Sequence, residues 1–476
     1  MYNYSQLFSR AALFFIGAAV AASTDELITS CISRDVVIVG GGSSGTYAAI
    51  RLLQQGFSVA VVERKPALGG HVNTFFDPET GTTLDYGVIG FPNLTVLNNY
   101  FEYLGVSTSP LGGRFGNAGS LFADFAKDGK AVAIPASIPW SDQTAAGLAL
   151  AEYGQQIGRF PFLPNGFDLP TPIPDDLLLP FGDFLEKYDL GAFADIAITF
   201  NQGAGNILAL STLYNMKYFS ESTVQAILGA GLIFVTTADQ NNQAIYDKAA
   251  SILGDAVFLN SNISRIERHG HGVHVEVVTP SGEKQIIAKK LVISIPPKIE
   301  SLQGLGLDLS AQESYLFGQF NNSYYWDMVI RNSGIPDNVT FSNVDISAPL
   351  GIPPLPGAYA VDSTGLPGIH TAYYGSPHYL SDEEVKADVL QTLARIVEAN
   401  GYNSTATPEF VGFNNHSPFE LTVSDAAVKA GFYDAVNALQ GQRDTWWTGA
   451  TWQSQNSAEI WNWTEYNLLP KIVASL

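Results

Sequence analysis

The clearest hydrophobic pattern lies near the amino-terminal end, where two runs of branched apolar residues flank a cluster of glycines. Asp35 to Gly40 (DVVIVG) predicts a buried strand, Ser43 to Gln55 a helix, and Ser58 to Glu63 (SVAVVE) a second strand. This order of strand, turn, helix and strand is typical of a dinucleotide-binding unit. Apolar runs of strand type return at Ala256 to Leu259, Val273 to Thr279 and Leu291 to Ile295.

Two long irregular stretches separate these strand signals, and a chain of 476 residues is too long for one simple core. We therefore predict an α/β fold with a Rossmann-like dinucleotide-binding domain assembled from residues 34–105, 241–300 and 412–476. Residues 106–240 and 301–411 would form an inserted α+β substrate domain. The interface between the two domains is the expected place for a substrate pocket.

The first residues have the pattern of a signal peptide. Arg10 supplies a positive charge, Ala11 to Ala22 form a short apolar run, and Ala19-Val20-Ala21 offers a small-residue cleavage site. We predict removal of residues 1–22 and a mature protein that is secreted or lies in the lumen of the secretory pathway. An uncleaved membrane anchor is the alternative, although the run is short for a spanning helix.

Seven Asn-x-Ser/Thr triplets in the mature chain favour the same route and predict a glycoprotein. They begin at Asn93, Asn262, Asn321, Asn338, Asn403, Asn415 and Asn462.

The overall charge of the chain argues against polyanionic partners. Against 24 basic residues stand 45 acidic ones, which gives a net charge of -21 and disfavours nucleic acid and anionic membranes as partners. Cys31 is the only cysteine, so the chain forms no internal disulfide and no cysteine metal cluster. His269, His271 and His274 could suggest a metal, but without supporting acids an exposed hairpin face is the preferred interpretation. We predict no metal site.

The glycine cluster matches the pattern G-x-G-x-x-G directly after a strand. Its sequence is Gly40-Gly41-Gly42-Ser43-Ser44-Gly45. Gly40 permits the tight turn, Gly42 lets a pyrophosphate approach the backbone, and Gly45 lets the helix pack closely on the sheet. The free N–H groups and the partial positive charge at the start of the helix favour phosphate binding.

Glu63 ends the second strand at the spacing expected of a ribose-binding carboxylate. Such a group accepts hydrogen bonds from the two ribose hydroxyls and repels a 2′-phosphate, so NADP is disfavoured. A solvated strand end is the alternative interpretation of Glu63.

Two further segments resemble the amino-terminal region of the flavin-containing amine oxidase superfamily, namely Leu68-Gly69-Gly70-His71 and Asp85-Tyr86-Gly87. The resemblance implies the amine oxidase type of FAD-binding domain, with a glycine pair and a basic residue along the FAD diphosphate. His71 stands where many members carry arginine, and Ala450 replaces an acidic residue of the closing flavin segment. The resemblance implies cofactor contacts by Glu63, Arg64, Gly69, Gly70, His71, Tyr86, Gly87, Val88, Ile263, Trp447, Gly449 and Ala450.

The chain also resembles the fungal β-cyclopiazonate dehydrogenase-like flavoproteins over most of its mature length. The shared segments include Glu63-Arg64, His71-Val72-Asn73-Thr74, His416-Ser417-Pro418-Phe419, Gly431-Phe432-Tyr433, Leu439-Gln440-Gly441 and Trp447-Thr448-Gly449-Ala450. In the named member of that family, FAD accepts a hydride from an indole-containing substrate and the product closes a new ring. The resemblance therefore implies hydride removal in an oxidative cyclisation or desaturation of secondary metabolism.

The sequence offers few candidates for catalysis. His416 is a candidate acid–base group, with a hydrogen-bonded loop histidine as the alternative. Tyr325 is a candidate within an aromatic wall formed by Ser323 to Trp326 and Trp446-Trp447, although such aromatic pairs are more often core. Lys298 comes too early for the lysine that many amine oxidases place beside the flavin. Cys31 precedes the first strand, so we expect non-covalent FAD.

The leading hypothesis is thus a secreted FAD-dependent oxidoreductase acting on a small molecule, with an electron acceptor such as oxygen. One alternative is an amine oxidase that yields an aldehyde and hydrogen peroxide. Another is a flavin-binding protein without catalysis, since a fold alone does not guarantee activity. We expect no nucleic-acid partner and no stable membrane insertion once the signal peptide has been removed.

Overall fold

The computed structural model describes residues 30–112, 119–268, 270, 272–402 and 407–476. The predicted signal peptide (residues 1–22), His269, His271 and the triplet at Asn403 lie outside these described residues.

The described residues form strands that belong to two large sheets and three small ones. In chain order the strands are β1 (Ser30–Val39), β2 (Val59–Val62), β3 (Thr74–Asp77), β4 (Thr82–Asp85), β5 (Phe91–Pro92), β6 (Thr108–Pro110), β7 (Gly119–Ala123), β8 (Ala131–Val132), β9 (Phe234–Thr237), β10 (Val257–Phe258), β11 (Asn262–Arg268), β12 (Val273–Thr279), β13 (Gly282–Ile293), β14 (Asn321–Asn322), β15 (Tyr324–Arg331), β16 (Val339–Asn343), β17 (Gly357–Ser363), β18 (Ile369–Ser376), β19 (Glu409–Asn415), β20 (Leu421–Thr422) and β21 (Thr445–Trp447).

The helices lie between and around these sheets. In chain order they are α1 (Ser43–Gln54), α2 (Thr95–Leu104), α3 (Gln143–Ile157), α4 (Phe181–Lys187), α5 (Ala194–Phe200), α6 (Thr212–Tyr218), α7 (Glu221–Leu228), α8 (Gln243–Leu253), α9 (Ile299–Gly304), α10 (Ala311–Phe317), α11 (Asp382–Ala399), α12 (Asp425–Lys429), α13 (Phe432–Asn437), α14 (Ser457–Trp463) and α15 (Leu469–Ser475).

The first large sheet has the order β10-β2-β1-β13-β12-β11, and β21 also pairs with β13. β1 pairs in parallel with both β2 and β13, whereas β11, β12 and β13 form an antiparallel meander. Val36 to Val39 in β1 are buried without alternation, as expected for a central parallel strand that is covered on both faces. The strands come from three separated parts of the chain, and α1 packs on the sheet directly after the glycine turn.

The second large sheet has the order β19-β15-β18-β17-β16-β7-β8. In β15 the side chains alternate between the two faces of the sheet. Trp326, Met328 and Ile330 pack into a core with Val389 of α11. Asp327 and its neighbours at every second position belong to the opposite face. The boundary predicted between residues 411 and 412 falls inside β19, so the second sheet extends beyond it.

No helix among the described residues is both long enough and apolar enough to cross a membrane.

Candidate active site

The glycine turn connects β1 to α1 in a tightly packed conformation. Gly40 has a φ of +96°, in the region that favours glycine. A Cβ on Gly45 would lie only 2.1 Å from the Gly40 carbonyl oxygen, so a side chain there would force the helix away from the turn. α1 begins after Gly42 with no side chain capping its first N–H groups. The start of the helix is therefore available to an anion.

The second glycine pair packs directly against this turn. The Gly69 amide donates a 2.8 Å hydrogen bond to the Gly41 carbonyl oxygen. A Cβ on Gly70 would come within 2.8 Å of the Gly42 Cα atom. Two backbone segments without side chains thus meet where the resemblance predicts the FAD diphosphate.

Glu63 is buried, and its carboxylate has a fixed orientation. It accepts hydrogen bonds from the Gly41 amide at 2.7 Å and from the Lys65 amide at 2.8 Å. The Glu63 amide in turn donates to Phe258 in β10, on the segment that leads to Ile263. The solvated strand end considered from the sequence does not describe this buried carboxylate.

Arg64 is among the predicted cofactor contacts, whereas the neighbouring Lys65 is not. Arg64 is exposed, whereas Lys65 points back and its Nζ donates a 2.9 Å hydrogen bond to the Gly70 carbonyl oxygen. Burial lowers the pKa of Lys65. The sequence did contain a signal for Lys65, because two basic residues follow Glu63 directly. Of these two side chains, only that of Lys65 points towards the glycine pair.

The carboxyl-terminal segment closes over the same turn. Gly449 has a φ of +109°, and a Cβ built on it would lie 3.5 Å from the Ser44 Oγ. The Ala450 methyl group cannot replace a carboxylate as a hydrogen-bond partner, so contacts here depend on backbone. The Trp447 side chain is fully buried and stacks on Trp452, with ring centroids 5.8 Å apart.

His71, for which the resemblance implies a contact with the FAD diphosphate, has its ring in a buried aromatic cluster. Its ring packs edge-to-face on the His416 ring, with centroids 4.4 Å apart, and stacks on Phe419 at 5.8 Å. Burial lowers the pKa of His71 well below its usual value, and the nearby His416 and Lys65 lower it further. The ring is therefore neutral at physiological pH.

Gly87 packs closely against the backbone of His71. A Cβ on Gly87 would lie 2.2 Å from the His71 carbonyl oxygen, so only glycine allows this approach. Next to it, the buried Tyr86 hydroxyl accepts a 2.7 Å hydrogen bond from Asn414 in β19, and burial raises the pKa of Tyr86 to about 12. The carbonyl oxygen of Val88 accepts a 2.9 Å hydrogen bond from Asn242. The contact between Tyr86 and Asn414 joins the predicted flavin segment to the second sheet.

His416 follows β19 and is held by a buried carboxylate. Its Nε2 lies 2.6 Å from Asp327 Oδ2 and 3.3 Å from Asn73 Nδ2. His416 is 4 % exposed and Asp327 is 0 % exposed. The His416 Nδ1 is buried and has no hydrogen-bond partner among the described residues. His416 was predicted from the sequence and Asp327 was not, because no local pattern distinguishes a carboxylate on the inner face of a strand.

Tyr325 borders the same cluster. Its ring lies 4.9 Å from the Phe419 ring, and its hydroxyl donates a 3.2 Å hydrogen bond to the Gln202 side chain. Tyr218 approaches Phe419 at 6.2 Å and donates to the backbone of Gln202. Burial raises the pKa of Tyr325 well above its usual value, so the hydroxyl remains a donor.

Much of the aromatic wall considered from the sequence belongs to the protein core instead. Trp326 packs against α11 on the far face of the second sheet. Trp446 and Trp447 belong to the main core. Strand alternation explains the difference for Trp326, because it leaves Tyr325 on the face opposite its neighbour.

Lys298 and His274, two other residues considered from the sequence, make contacts within the fold. Lys298 donates a 2.7 Å hydrogen bond to the Phe320 carbonyl oxygen at the start of α9. His274 lies half-buried in β12, opposite Glu267 of β11. Within the part of the chain that the structure describes, no group of three or more His, Cys, Asp or Glu side chains is arranged to hold a metal ion.

Comparisons with known proteins identify the family of the chain. Residues 43–303 match the model described as flavin containing amine oxidoreductase. The FAD-dependent oxidoreductase oblC of Cochliobolus heterostrophus is 36% identical over 493 residues, which cover 100% of both chains. Beta-cyclopiazonate dehydrogenase of Aspergillus oryzae is 36% identical over 437 residues, or 91% of this chain and 92% of that protein. The chain belongs to the flavin containing amine oxidoreductase family.

The fold comparison agrees with this assignment. The crystal structure of the CLA-producing fatty acid isomerase from P. acnes superposes with a TM-score of 0.72 at 21% identity, covering 92% of this chain and 98% of that one. The chain is accordingly an FAD-dependent oxidoreductase with the mixed α/β fold expected from its sequence.

The residues around the glycine turn fit FAD. Two glycine segments in contact leave the backbone open to a diphosphate, and a buried carboxylate stands at the end of β2. In this flavoprotein, Gly40 to Gly45, Gly69 and Gly70 would hold the diphosphate. Glu63 would bind the ribose.

Proposed function

We propose that this flavoprotein is a secreted enzyme that removes a hydride from a small, largely planar organic substrate, in an oxidative cyclisation or desaturation of secondary metabolism. The observation that carries the proposal is the position of His416, whose Nδ1 has no partner among the described residues and belongs to a buried cluster of aromatic rings. A base beside flat apolar surfaces suits a substrate that loses a proton together with a hydride. The likeness to beta-cyclopiazonate dehydrogenase supports this class of reaction.

The side chains of the cluster have distinct roles in this proposal. Tyr325 and Phe419 bind the flat face of the substrate and exclude water. His416 accepts the proton, and the neutral His71 ring packs against it without adding a competing charge. Bound FAD supplies the hydride acceptor.

We propose non-covalent attachment of FAD. Cys31 is exposed near the start of β1, whereas the glycine turn lies at the opposite end of the strand. Nine residues of extended chain span roughly 30 Å, which is too far for a thioether next to the turn. Acid precipitation should release the flavin into solution. Flavin that stays with the precipitated chain would argue for a covalent bond through another side chain.

We propose secretion from the composition of residues 1–22 and from the glycosylation triplets. Asn321 and Asn338 are exposed and accessible to a glycan. Expression in a fungal host should deliver a chain without residues 1–22 into the medium, with a mass that falls after glycosidase treatment. A cell-retained chain that keeps residues 1–22 would contradict this.

The reaction is tested by anaerobic bleaching of the bound flavin. We would mix the FAD-loaded protein with a panel of indole-containing and phenolic small molecules, and separately with a panel of primary and secondary amines. Bleaching by members of the first panel is the expected result. The alternative of an ordinary amine oxidase, favoured by the family model, predicts bleaching by amines and peroxide release on adding oxygen.

Variants assign the base. His416→Gln should slow the bleaching about 10²- to 10⁴-fold. The matched control is His378→Gln, because His378 is exposed after β18 and should leave the rate unchanged. Equal rates for wild type and His416→Gln would remove His416 from the proposal. A flavin that no compound bleaches would favour a binding protein without catalysis.

A further inference from the structure

Asp327 is a carboxylate in an unusual place, the middle of a strand in the second sheet. It lies in register between Asn414 of β19 and Tyr373 of β18, and none of its surface is exposed. Burial of a carboxylate is costly unless another group compensates its charge or its hydrogen-bonding capacity. The short contact is His416 Nε2, at 2.6 Å from Oδ2, while Oδ1 has no partner among the described residues.

Two side chains, the Asn73 amide and the Asp327 carboxylate, approach Nε2 of His416. Asn73 Nδ2 lies 3.3 Å from the His71 carbonyl oxygen, which can only accept a hydrogen bond. This side of the amide is therefore the donating NH₂ group, and it also points at Asp327 Oδ2 and at His416 Nε2. The NH₂ group only donates, whereas the Asp327 carboxylate oxygen accepts and lies 2.6 Å from Nε2, so the Nε2–H group of His416 points at Asp327.

The other ring nitrogen is then left with its lone pair. In a neutral imidazole one nitrogen donates and the other accepts, so an Nε2–H tautomer makes Nδ1 the acceptor. His416 Nδ1 is buried without a partner among the described residues, beside the rings of His71 and Tyr325. A buried acceptor without a hydrogen bond costs stability and suggests that a ligand uses it.

We propose that Asp327 is a positioning residue that holds His416 as the Nε2–H tautomer, so that Nδ1 takes a proton from the substrate. This rests on the proposed function of His416 and narrows its substrate class. The substrate carries a dissociable N–H or O–H proton next to the carbon that loses the hydride. That carbon gives its hydride, with two electrons, to bound FAD, the N–H or O–H proton goes to Nδ1, and a new π bond forms. The substrate is oxidised by two electrons and the flavin is reduced by two.

The first test is independent of any substrate. Imidazole nitrogen NMR of the FAD-loaded protein, labelled with ¹⁵N-histidine, reports which nitrogen carries the proton, and His416→Gln assigns the signals of His416. The expected result is Nε2–H in the wild type and a shift towards Nδ1–H in Asp327→Asn. An Nδ1–H tautomer in the wild type would overturn the proposal, as would an unchanged tautomer in a folded, FAD-loaded Asp327→Asn. If Asp327→Asn does not fold, the wild-type measurement alone still shows which nitrogen of His416 carries the proton.

The second test uses the rate of flavin bleaching by a substrate found in the panel. Asp327→Asn should lower the limiting rate about 10²- to 10⁴-fold and leave the half-saturating substrate concentration nearly unchanged. The control is Asp388→Asn, because Asp388 accepts a 2.9 Å hydrogen bond from Tyr374 on the other face of the same sheet. A wild-type rate in Asp327→Asn would contradict the positioning role.

The two tests also separate this inference from the proposed function. If no substrate bleaches the wild-type flavin, the proposed function fails, while the NMR result still measures the effect of Asp327 on His416. If substrates bleach the flavin but the tautomer is Nδ1–H, the positioning role alone fails.

Discussion

At the residue scale, two buried ionisable side chains outside the histidine cluster have strongly shifted pKa values. Burial raises the pKa of Glu420 to about 8 and lowers that of Lys217 to about 7. Lys217 Nζ is satisfied by the Leu163 and Gly166 carbonyl oxygens and by Gln453, at 2.6 to 3.0 Å. Both side chains therefore titrate much closer to neutral pH than they would in solvent.

Replacement of Glu420 by glutamine gives a pH-dependent stability difference. The folded pKa of Glu420 lies above the unfolded value near 4.5, so its contribution to stability is full below about pH 4.5 and is lost as the pH rises to about 8. The wild type should lose stability relative to Glu420→Gln over this range, by at most roughly 1.4 kcal/mol per pH unit. Thermal unfolding at pH 5 and pH 8 measures the difference, with the exposed Glu398→Gln as control. A pH-independent difference would show that Glu420 titrates normally.

Residue types near the glycine turn could be assigned from sequence because their roles are local. Glu63 and the turn were found by spacing alone, and the structure buries Glu63 against the turn. The resemblance implies a diphosphate contact for His71, but the sequence did not predict that its ring packs on His416, which is 345 positions away in the chain. Asp327 was not predicted either, because its contact with His416 depends on the pairing of two distant strands, which leaves no local pattern in the sequence.

At the scale of elements, the bounds of helices and strands were likewise predicted best where they depend on local sequence. α1 was predicted over Ser43 to Gln55 and ends one residue earlier, and β12 has the predicted bounds. β1 begins at Ser30 rather than Asp35, because Ser30 to Arg34 pair with β13. Such a distant partner extends a strand through residues whose own pattern is weak.

Close packing between β1 and α1 makes Gly45 intolerant of a methyl group. Gly45→Ala should push the helix away from the Gly40 carbonyl oxygen and weaken FAD binding at least about tenfold, or roughly 1.4 kcal/mol. Gly147→Ala in α3 is the control, since a Cβ there meets nothing within 4 Å. Titration of the apoprotein with FAD gives both dissociation constants. Unchanged affinity in Gly45→Ala would mean that the turn is not the binding element.

A buried ion-pair network ties β11 to α10. The fully buried Arg268 side chain contacts Asp308 and Glu313, each at 2.7 Å. Arg268→Met should destabilise the fold by about 3 kcal/mol, because the buried Glu313 carboxylate then keeps only the 3.5 Å contact with Arg443 and the hydrogen bond from the Ser310 amide. Lys289→Met is the control, since Lys289 pairs with Asp35 at the exposed surface. Denaturant unfolding measures both, and similar midpoints for the two variants would contradict the network's role.

At the scale of the whole molecule, polar contacts around the site join the second large sheet to segments near the glycine turn. His416 and Asp327 come from the second sheet and its margin, whereas Asn73 and Tyr86 come from the segments that follow the glycine turn. Sequence patterns predicted that separated segments combine, but they did not predict which side chains would face each other. The pairing of β15 with β19, which brings Asp327 to His416, links residues 326–331 to residues 409–415.

Because FAD would contact segments distributed along the chain, its binding should stabilise the whole molecule. At a free FAD concentration a hundred times the dissociation constant, the gain is about 2.7 kcal/mol. Apoprotein and FAD-loaded protein should therefore differ in Tm by several degrees, and the difference should grow with FAD concentration. Identical melting curves would mean that the folded chain does not bind FAD.

The most direct test of the account is the visible absorption spectrum of the purified chain before and after acid precipitation. The glycine turn, Glu63 and the closing segment at Gly449 predict flavin bands from one FAD per chain, and the colour should pass into the supernatant. A folded, colourless protein that takes up no FAD when the cofactor is added would contradict the central claim.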